Sequence, residues 1–376
     1  MESATSASKM YTEIGLMKER IDQTSLGITN IGVNTAGWTW RIVWSWTNLL
    51  QLLLTVVGIV GNLLVIFALL GRKAARYSTD IFIGALAVAD FLTSVFMIPI
   101  PVAGRVPDTL AGNVYCKLVF SSYLMWLFVT ASAFILTGMS VERFVAVVCP
   151  LHFHQIFTKR RVYFYLASVS VCAVFANYCF TATVRVIGNR CVDTKTHTLR
   201  IYLTIYLFVL RMGVPVLTML VTQIGTAISL HRQSRELQAV LSAGTGKDNT
   251  PSFHVKARNR MVQMTATVVI VFMLSLGPNH VIIMISAVKG TLDDYLFSPF
   301  YYAIVFLTLL NSCVNPFIYA ARYPRFRKAI RGIFTAGLSG KRAPVFDHGV
   351  GDSHSDSTQV DTSNLASVSS VTIKAV

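Results

Sequence analysis

Charged side chains are scarce in this chain of 376 residues. Asp, Glu, Lys and Arg together make up 13% of the sequence, which is about half their share in a typical soluble domain. Hydrophobic residues make up 53%. A soluble chain of this length would contain about two or three domains, and so few charges cannot cover their surfaces. The composition therefore predicts that most apolar residues face a medium other than water.

Motifs for catalysis and for metal binding are also absent. The 6 cysteines show no C-x-x-C spacing, which zinc and redox sites commonly use, and no nucleophile stands beside a candidate base. The net charge of +16 would suit nucleic acid, but the basic residues form short clusters between apolar stretches rather than one polar face. The sequence thus argues against an enzyme and against a nucleic-acid-binding protein.

Long apolar stretches, by contrast, occur seven times. Crossing the hydrocarbon layer takes about 20 residues of helix, and every stretch reaches that length. Only Asp90 and Arg211 bring a charge into them. We number them spans 1 to 7 in the order 42–71, 81–104, 118–141, 162–184, 201–230, 261–288 and 295–321. Barrel strands are excluded because they alternate over about 10 residues. The sequence therefore predicts an all-α membrane protein with a seven-transmembrane helix bundle.

The distribution of basic residues predicts the direction of the chain. Apart from Arg143, the loops after spans 1, 3 and 5 and residues 322–334 after span 7 carry 17 Lys and Arg residues, whereas the three loops on the other side carry 7. Because cytoplasmic loops carry the basic excess, we expect a multi-pass cell-membrane protein with its N-terminus outside and its C-terminus in the cytoplasm. Residues 1–41 contain no apolar run that would suit a signal peptide, so span 1 is expected to direct insertion.

Four regions are predicted along the chain. Residues 1–44 form an extracellular tail, and residues 45–322 form the helix bundle. In residues 323–334, apolar side chains recur at helical spacing among basic ones, which predicts a short amphipathic helix on the cytoplasmic membrane surface. Residues 335–376 are rich in Ser, Thr, Gly and Asp and are predicted to be disordered.

Short motifs with polar residues or prolines stand at defined depths in six of the spans. They are Gly61-Asn62, Leu86-Ala87-Val88-Ala89-Asp90, Glu142-Arg143-Phe144 followed by Cys149-Pro150-Leu151, Pro215, Phe272 with Pro278, and Asn315-Pro316-Phe317-Ile318-Tyr319. This set resembles the rhodopsin-like (class A) G-protein-coupled receptors. The motif residues and an aromatic rim at the start of span 7 also look like neuropeptide receptors; the rim consists of Tyr295, Phe297, Tyr301 and Tyr302. The resemblance extends over roughly residues 45–334 and implies a receptor that signals to heterotrimeric G proteins.

The resemblance implies that the cytoplasmic half couples to the G protein. In the family, the arginine at Arg143 is held at rest and contacts the G protein when active, and a tyrosine at Tyr319 becomes its partner. The Glu142–Arg143 pair could instead simply anchor span 3 at the headgroups. Proline interrupts helical hydrogen bonding, so Pro278 and Pro316 are hinge candidates. The residues assigned to coupling and activation are Glu142, Arg143, Phe144, Pro215, Phe272, Pro278, Asn315, Pro316 and Tyr319.

Asp90 is the carboxylate within the predicted spans, where an ionisable group is costly and usually functional. The resemblance implies a sodium site that modulates the inactive state, formed by Asp90, Ser132, Asn311 and Ser312. Oxygen ligands suit a hard cation, and no other cofactor is expected. A polar cluster that only holds the helices together is the alternative.

The resemblance also concerns the outer loops, and the sequence differs from the family pattern at several positions. The resemblance implies a disulfide between Cys116 and Cys191, and the other cysteines are expected to be buried. Leu276 replaces the family's usual tryptophan, and the spacing from Cys116 to Arg143 is slightly longer than usual. Span 6 begins near Arg258 rather than an acid, so no salt bridge from there is expected to hold Arg143.

The centre of span 3 reads Met125-Trp126 without a carboxylate, which disfavours a monoamine, and span 7 has no lysine for retinal. Arg211, helped by His280, is predicted to bind an anionic or carbonyl group of the ligand. Alternatively, Arg211 extends outward or pairs with an acid in the last outer loop. The predicted ligand-binding residues are Met125, Trp126, Arg211, Leu276, Asn279, His280 and Tyr301.

A peptide is the favoured ligand, because a long tail and a basic second outer loop suit an extended molecule. An acidic lipid or another small anion is the rival ligand, and a decoy receptor without G-protein coupling is the rival function. A transporter is disfavoured because too few ionisable groups lie in the spans for a relay. Serines and threonines near the C-terminus are expected to be targets of receptor kinases, whose phosphates would bind arrestin.

Overall fold

A computed structural model of the chain describes residues 25–33, 37–69, 77–99, 101–242, 250–292, 295 and 299–339. Among these residues, seven helices are long and apolar enough to cross a membrane, which confirms the predicted bundle. The long helices are α1 (Trp46–Leu69), α2 (Ser78–Phe96), α4 (Tyr123–Val148), α6 (Lys159–Thr181), α7 and α8 (His197–Phe208 and Val214–Ser242), α9 (Thr250–Lys289) and α10 (Pro299–Arg322). Spans 1 to 7 correspond to these helices in order, with α7 and α8 together forming span 5.

Three short helices complete the helical part. They are α3 (Leu110–Tyr115), α5 (Pro150–Ile156) and α11 (Pro324–Ser339). In α11, Phe326 and Ala329 are buried against the bundle, whereas Arg327, Lys328 and Arg331 are exposed. This is the amphipathic pattern predicted for residues 323–334, and the helix extends to Ser339.

The tail that precedes span 1 contains β structure that the sequence reading did not foresee. Strands β1 (Ser25–Val33), β2 (Thr39–Ser45) and β3 (Val102–Arg105) form an antiparallel sheet in that order. The predicted bounds of two spans are therefore too wide. Residues 42–45 of span 1 belong to β2, since α1 begins at Trp46, and residues 102–104 of span 2 belong to β3, since α2 ends at Phe96. Pro99 and Pro101 explain this end, because proline and the residue before it both disfavour helical backbone.

Two widened helical turns interrupt the spans. The first, Cys116–Phe120, is followed by Ser122 at φ 54°, and a regular helix restarts at Tyr123. This irregular segment lies between Cys116 and Arg143, where the sequence is longer than usual for the family, and it takes up the additional length. The second, Val209–Gly213, precedes Pro215. Pro215 has no N–H and clashes with the carbonyl four residues earlier, which favours a wider turn there.

The helices pack around one hydrophobic core that runs the length of the bundle. Its fully buried side chains include Leu86, Leu136, Met139, Phe272 and Tyr319, from spans 2, 3, 6 and 7. We call the end of the bundle near Cys116 the disulfide end and the opposite end the Arg143 end. Cys149, Cys172 and Cys179 are exposed, so the expectation of burial is wrong for them. Apolar side chains on a membrane helix also face lipid, and composition alone does not separate the two surfaces.

Candidate functional site

A cavity of about 550 Å³ lies between the helices at the disulfide end. All seven spans contribute to its wall, and so does Ile42 of strand β2. Of the predicted ligand-binding residues, the wall contains Met125, Trp126, Arg211, Asn279, His280 and Tyr301. Leu276 lies beneath the cavity in the hydrophobic core, with 1% of its surface exposed. The structure therefore brings six of the predicted side chains to one cavity.

Arg211 is buried at the base of this cavity. Its side chain lies in the widened turn before Pro215, and only 8% of the residue is exposed. The Nη2 group donates a hydrogen bond to Oδ1 of Asn177 on span 4. Among the described residues, no carboxylate pairs with Arg211, and its Nε–H has no acceptor. The alternative of an outward-extended Arg211 is therefore wrong, while Asp293 and Asp294 lie outside the described residues.

Asn177 is the partner of Arg211 that sequence reasoning missed. Its Nδ2 donates to the carbonyl of Ala173 at 2.7 Å and to the hydroxyl of Thr130 at 3.1 Å. Because a carbonyl can only accept, these contacts determine that the Asn177 oxygen faces Arg211. An amide inside an otherwise apolar span was the available signal, since such groups face the bundle and find partners.

Trp126 and His280 form the neighbouring wall. The Arg211 guanidinium carbon lies 4.8 Å from the centre of the Trp126 ring, a distance at which the ring face attracts a cation. The His280 ring meets Trp126 edge to face, with 5.9 Å between ring centres. His280 Nδ1 lies 2.9 Å from the Leu276 carbonyl, and Nε2 has no described partner.

Aromatic residues form part of the cavity rim. The Tyr295 hydroxyl donates to the Asn279 side-chain oxygen at 3.5 Å, and its ring meets Tyr301 edge to face. Phe297 lies outside the described residues, and the side chain of Tyr302 is not described.

The loop before span 5 is tied to span 3 at this end. The predicted disulfide between Cys116 and Cys191 is confirmed, with 5.4 Å between the Cα atoms. It joins span 3 to a hairpin of strands β4 (Val184–Ile187) and β5 (Arg190–Asp193). Just after the hairpin, Lys195 pairs with Asp193 at 2.8 Å and covers the Phe180 ring. Burial lowers the pKa of Lys195, although the Asp193 carboxylate opposes this shift.

The N-terminal sheet packs beside the same loop region. Trp38 and Trp40 stack with 5.4 Å between ring centres, and Tyr115 meets both rings edge to face. The Tyr115 hydroxyl also accepts the backbone N–H of Ala103 at 3.0 Å. These contacts hold strand β2 against the segment that joins spans 2 and 3. This aromatic cluster explains how a predicted tail comes to form part of the cavity wall.

Asp90 lies in the middle of the bundle and is fully buried. Ser132 and Ser312 donate hydrogen bonds to Oδ1 at 3.2 and 3.1 Å, and Asn315 donates to Oδ2 at 2.6 Å. Asn311, which the resemblance placed in this set, accepts a hydrogen bond from Ser275 at 3.3 Å. A carboxylate and two hydroxyl groups are oxygen donors of the type that a hard cation prefers, so the residues present fit a sodium ion.

The proline in span 7 has a compensating contact on span 1. Pro316 lacks an N–H, so the carbonyl of Ser312, four residues earlier, receives no helical hydrogen bond from it. The Asn62 side chain donates to that carbonyl at 2.8 Å and to the Gly58 carbonyl at 2.9 Å. A Cβ on Gly61 would lie 2.9 Å from the Pro316 ring. The Gly61-Asn62 motif thus stabilises the interrupted helix by close approach and by one replacement hydrogen bond.

Span 2 holds the Arg143 end together. Glu142 is fully buried, and its Oε1 accepts hydrogen bonds from Ser78 and from Thr79. Its Oε2 pairs with Arg143 at 2.9 Å, and Arg143 also donates to the Thr79 hydroxyl. No described side chain of span 6 bonds to Arg143, and the side chain of Arg258 is not described. Sequence reasoning missed both hydroxyl residues because they lie before the charge-free stretch that defined span 2.

Asp80, one residue further along span 2, adds a second contact at this end. The Tyr323 hydroxyl donates to its carboxylate, and both residues are buried. Tyr323 lies between span 7 and helix α11, so this bond links that junction to span 2. Asp80 was also missed, because span 2 begins at Ser78 rather than at residue 81.

The other predicted activation residues lie between these clusters. Phe272 is fully buried in the core, and the Tyr319 hydroxyl has no described partner. The Tyr319 ring meets Phe326 of α11 edge to face. A Cβ on Gly225 would lie 2.7 Å from the Phe144 ring, so Phe144 packs directly against the backbone of span 5. Pro278 lies inside a continuous helix.

Comparisons with known proteins agree with this arrangement. The model of the family described as "7 transmembrane receptor (rhodopsin family)" matches residues 61–319. Galanin receptor type 2 of Mus musculus is 30% identical over 304 residues, which cover 78% of this chain and 76% of the relative. Melatonin receptor type 1A of Ovis aries is 27% identical over 298 residues, 75% of each chain. Allatostatin-A receptor of Bombyx mori is 26% identical over 308 residues, 76% of this chain and 80% of the relative.

Proposed function

Since this chain belongs to the rhodopsin family of seven-transmembrane receptors, we propose that it binds an extracellular peptide and transmits the signal to heterotrimeric G proteins. It is a receptor rather than an enzyme. The names of three relatives support a peptide, since galanin, allatostatin-A and tachykinin-like peptides all have receptors similar to this chain. Melatonin receptor type 1A is a relative named for a small molecule.

One observation carries the ligand-binding part of the proposal. The cavity contains two deeply buried polar atoms without a described partner, the Arg211 Nε and the His280 Nε2. Most buried polar groups in folded proteins are paired, so these atoms are suited to a ligand. The wall also includes Ile42 of the tail, which favours an extended ligand that contacts both the tail and the bundle.

We place the disulfide end outside the cell and the Arg143 end in the cytoplasm. The 17 basic residues counted in the loops and in residues 322–334 on the Arg143 side, against 7 on the other, support this orientation. Disulfides also persist in an oxidising compartment. Arg72, Lys73, Arg76 and Lys247 belong to this count, although they lie outside the described residues.

Signalling follows from a population shift between two arrangements. A ligand with higher affinity for the active arrangement moves the equilibrium toward it. Span 6 swings about Pro278, a cleft opens beside Arg143, and a G protein docks there. Arg143 must first exchange its hydrogen bonds to Glu142 and Thr79. Tyr319 can then accept Arg143, since its hydroxyl has no described partner at rest.

The central cluster and the C-terminal tail are assigned regulatory roles. Asp90, Ser132 and Ser312 would hold a sodium ion that favours the resting arrangement, with Asn311 and Asn315 at its margin. Phosphorylation of the tail by receptor kinases would recruit arrestin. The candidate serines and threonines, which include Ser353, Ser355, Ser357 and Thr358, lie outside the described residues.

The test is ligand-stimulated nucleotide exchange in cells that express the chain. Peptide and acidic-lipid libraries are applied in parallel, and G-protein dissociation is recorded. Activation by peptides, lost in the Arg143→Ala variant at equal surface expression, is the expected result. Activation by acidic lipids alone would replace the peptide with the rival ligand. Peptide binding without exchange would identify a decoy receptor.

A further inference from the structure

Arg211 and His280 both line the cavity, and each has one buried nitrogen without a described partner. Only 8% of Arg211 and 7% of His280 is exposed, so both side chains are more than nine-tenths buried. Both pack on the Trp126 ring, Arg211 on its face and His280 edge to face. The two unpartnered atoms are the Arg211 Nε and the His280 Nε2, and both have almost no accessible surface. A ligand must therefore displace neighbouring side chains to reach them, and it must then satisfy both.

The two atoms differ in hydrogen-bonding polarity. The Nε of arginine always carries a proton and can only donate. His280 Nδ1 lies 2.9 Å from the Leu276 carbonyl, which can only accept, so the proton of a neutral ring is on Nδ1. Nε2 then carries a lone pair and accepts. The cavity wall therefore includes one donor and one acceptor that lack partners among the described residues.

Neutral groups already stabilise the Arg211 charge. The Asn177 oxygen accepts from Nη2, and the Trp126 ring face lies 4.8 Å from the guanidinium carbon. The orientation of Asn177 is determined by its donation to Ala173 and Thr130. The charge is thus held by dipoles and a π face, and the site does not depend on an anionic ligand to compensate it.

We infer that the ligand group bound between Arg211 and His280 is a neutral carboxamide rather than a carboxylate, an inference that rests on the proposed peptide-receptor function. The carboxamide oxygen accepts from the Arg211 Nε–H, and its N–H donates to the His280 Nε2. A carboxylate would direct a second lone pair at Nε2, and an ammonium group would face a guanidinium. The carboxamide is either an amidated C-terminus or an Asn or Gln side chain.

The first arm of the test changes the peptide. A library of synthetic octapeptides is prepared twice, with C-terminal primary amides and with free acids, and G-protein dissociation is measured on the wild-type receptor. Each active peptide is then remade with a dimethylamide terminus, and separately with every Asn or Gln replaced by the corresponding acid. Removing the required N–H lowers potency by about tenfold or more. A loss of potency when the terminus is changed identifies an amidated C-terminus. A loss of potency when the side chains are changed identifies Asn or Gln.

The second arm changes the receptor. In His280→Gln, the new side chain can both accept and donate, so the potency ratio of amide to acid falls toward one. A purely structural role of His280 would lower both potencies and leave that ratio unchanged. Val281→Ala, at a partly exposed neighbouring position outside the cavity wall, is the matched control and keeps the wild-type ratio. Surface expression is measured for each variant.

The outcomes separate this inference from the function on which it rests. The carboxamide inference would be overturned if free-acid peptides were at least as potent as their amides, both at the terminus and at the side chains. The peptide-receptor function would then remain. An amide preference that His280→Gln leaves unchanged would remove Nε2 from recognition and also overturns the inference. Failure of every peptide in both forms, with normal surface expression, would overturn the peptide-receptor function itself.

Discussion

The Glu142 cluster at the Arg143 end is saturated with hydrogen bonds, whereas Arg211 and His280 at the disulfide end each have a nitrogen without a described partner. Glu142 accepts from Ser78, Thr79 and Arg143 and forms a closed cluster. Arg211 is also buried but has only Asn177 as a described hydrogen-bond partner. From this difference we infer that the Glu142 cluster stabilises the resting arrangement and must open for signalling. The Arg211 site instead gains its missing hydrogen bonds from a bound ligand. Substitutions at the Arg143 end should therefore mainly lower stability, and substitutions at the disulfide end should mainly lower the response to ligand.

Glu142→Ala should produce the largest loss of stability. It leaves the Arg143 charge and two hydroxyl groups without their acceptor, and breaking a buried ion pair costs about 3–5 kcal/mol. We expect a clearly lower melting temperature in detergent and raised basal nucleotide exchange, because Arg143 is less restrained. Glu236→Ala, which removes an exposed ion pair with Arg232, is the control and should change neither. An unchanged melting temperature for Glu142→Ala would contradict the stabilising role of this cluster.

Arg211→Met should separate binding from stability. The variant removes a buried charge with an unsatisfied Nε–H, so the melting temperature should stay equal or rise. Agonist potency should fall by about 10- to 100-fold, since a hydrogen bond to a charged group contributes about 1.5–3 kcal/mol. Thermal unfolding and dose–response curves at matched surface expression measure the two quantities. If potency is retained, the Arg211 ligand role is wrong and the comparison between the two ends loses its basis.

Tyr323→Phe tests whether the Arg143 end depends on a single hydroxyl. The change leaves the buried Asp80 carboxylate without one donor, which costs about 1–3 kcal/mol. The melting temperature in detergent should fall, whereas Tyr163→Phe, at an exposed position, should leave it unchanged. Equal melting temperatures for both variants would show that Asp80 is satisfied by other groups.

The smallest effect is expected at the centre, where the two ends are coupled. Replacing sodium chloride with N-methylglucamine chloride should raise agonist affinity by about fivefold, near the lower limit of allosteric coupling. Asp90→Asn should abolish this dependence, because the amide is a poorer cation ligand. Agonist binding at several salt concentrations measures the effect. An unchanged sodium response in Asp90→Asn would leave the cluster with its alternative role of holding helices together.

The sequence identified features that follow from a property of one residue or one stretch. Long uncharged stretches predicted seven helices, and Asp90 stood out because a carboxylate in hydrocarbon is costly. The pairing of Cys116 with Cys191 came from the family resemblance. Arg211 and His280 were expected on one wall because the same resemblance puts both residues at a similar depth in the bundle. Each of these inferences needs only local chemistry or a known pattern.

Features that depend on tertiary contact escaped prediction. No pattern in the tail predicts that β2 pairs with β3, because that pairing depends on the Trp38, Trp40 and Tyr115 cluster. Thr79 has no charge, so its bond to Arg143 could not be read from the pattern of charges. Asn177 required knowing which face of span 4 meets span 5. The widened turn near Ser122 shows only as a few additional residues before Arg143.

The contacts of Arg143 affect the activity of the receptor in the absence of ligand. They lead to Glu142 and to Thr79 of span 2, and no described span 6 side chain takes part. In the proposed mechanism, activation therefore needs two separate steps, the swing of span 6 and the release of Arg143 from span 2. Because their probabilities multiply, weakening one step should raise spontaneous activity by a limited amount, and weakening both together should raise it far more than the two single effects added.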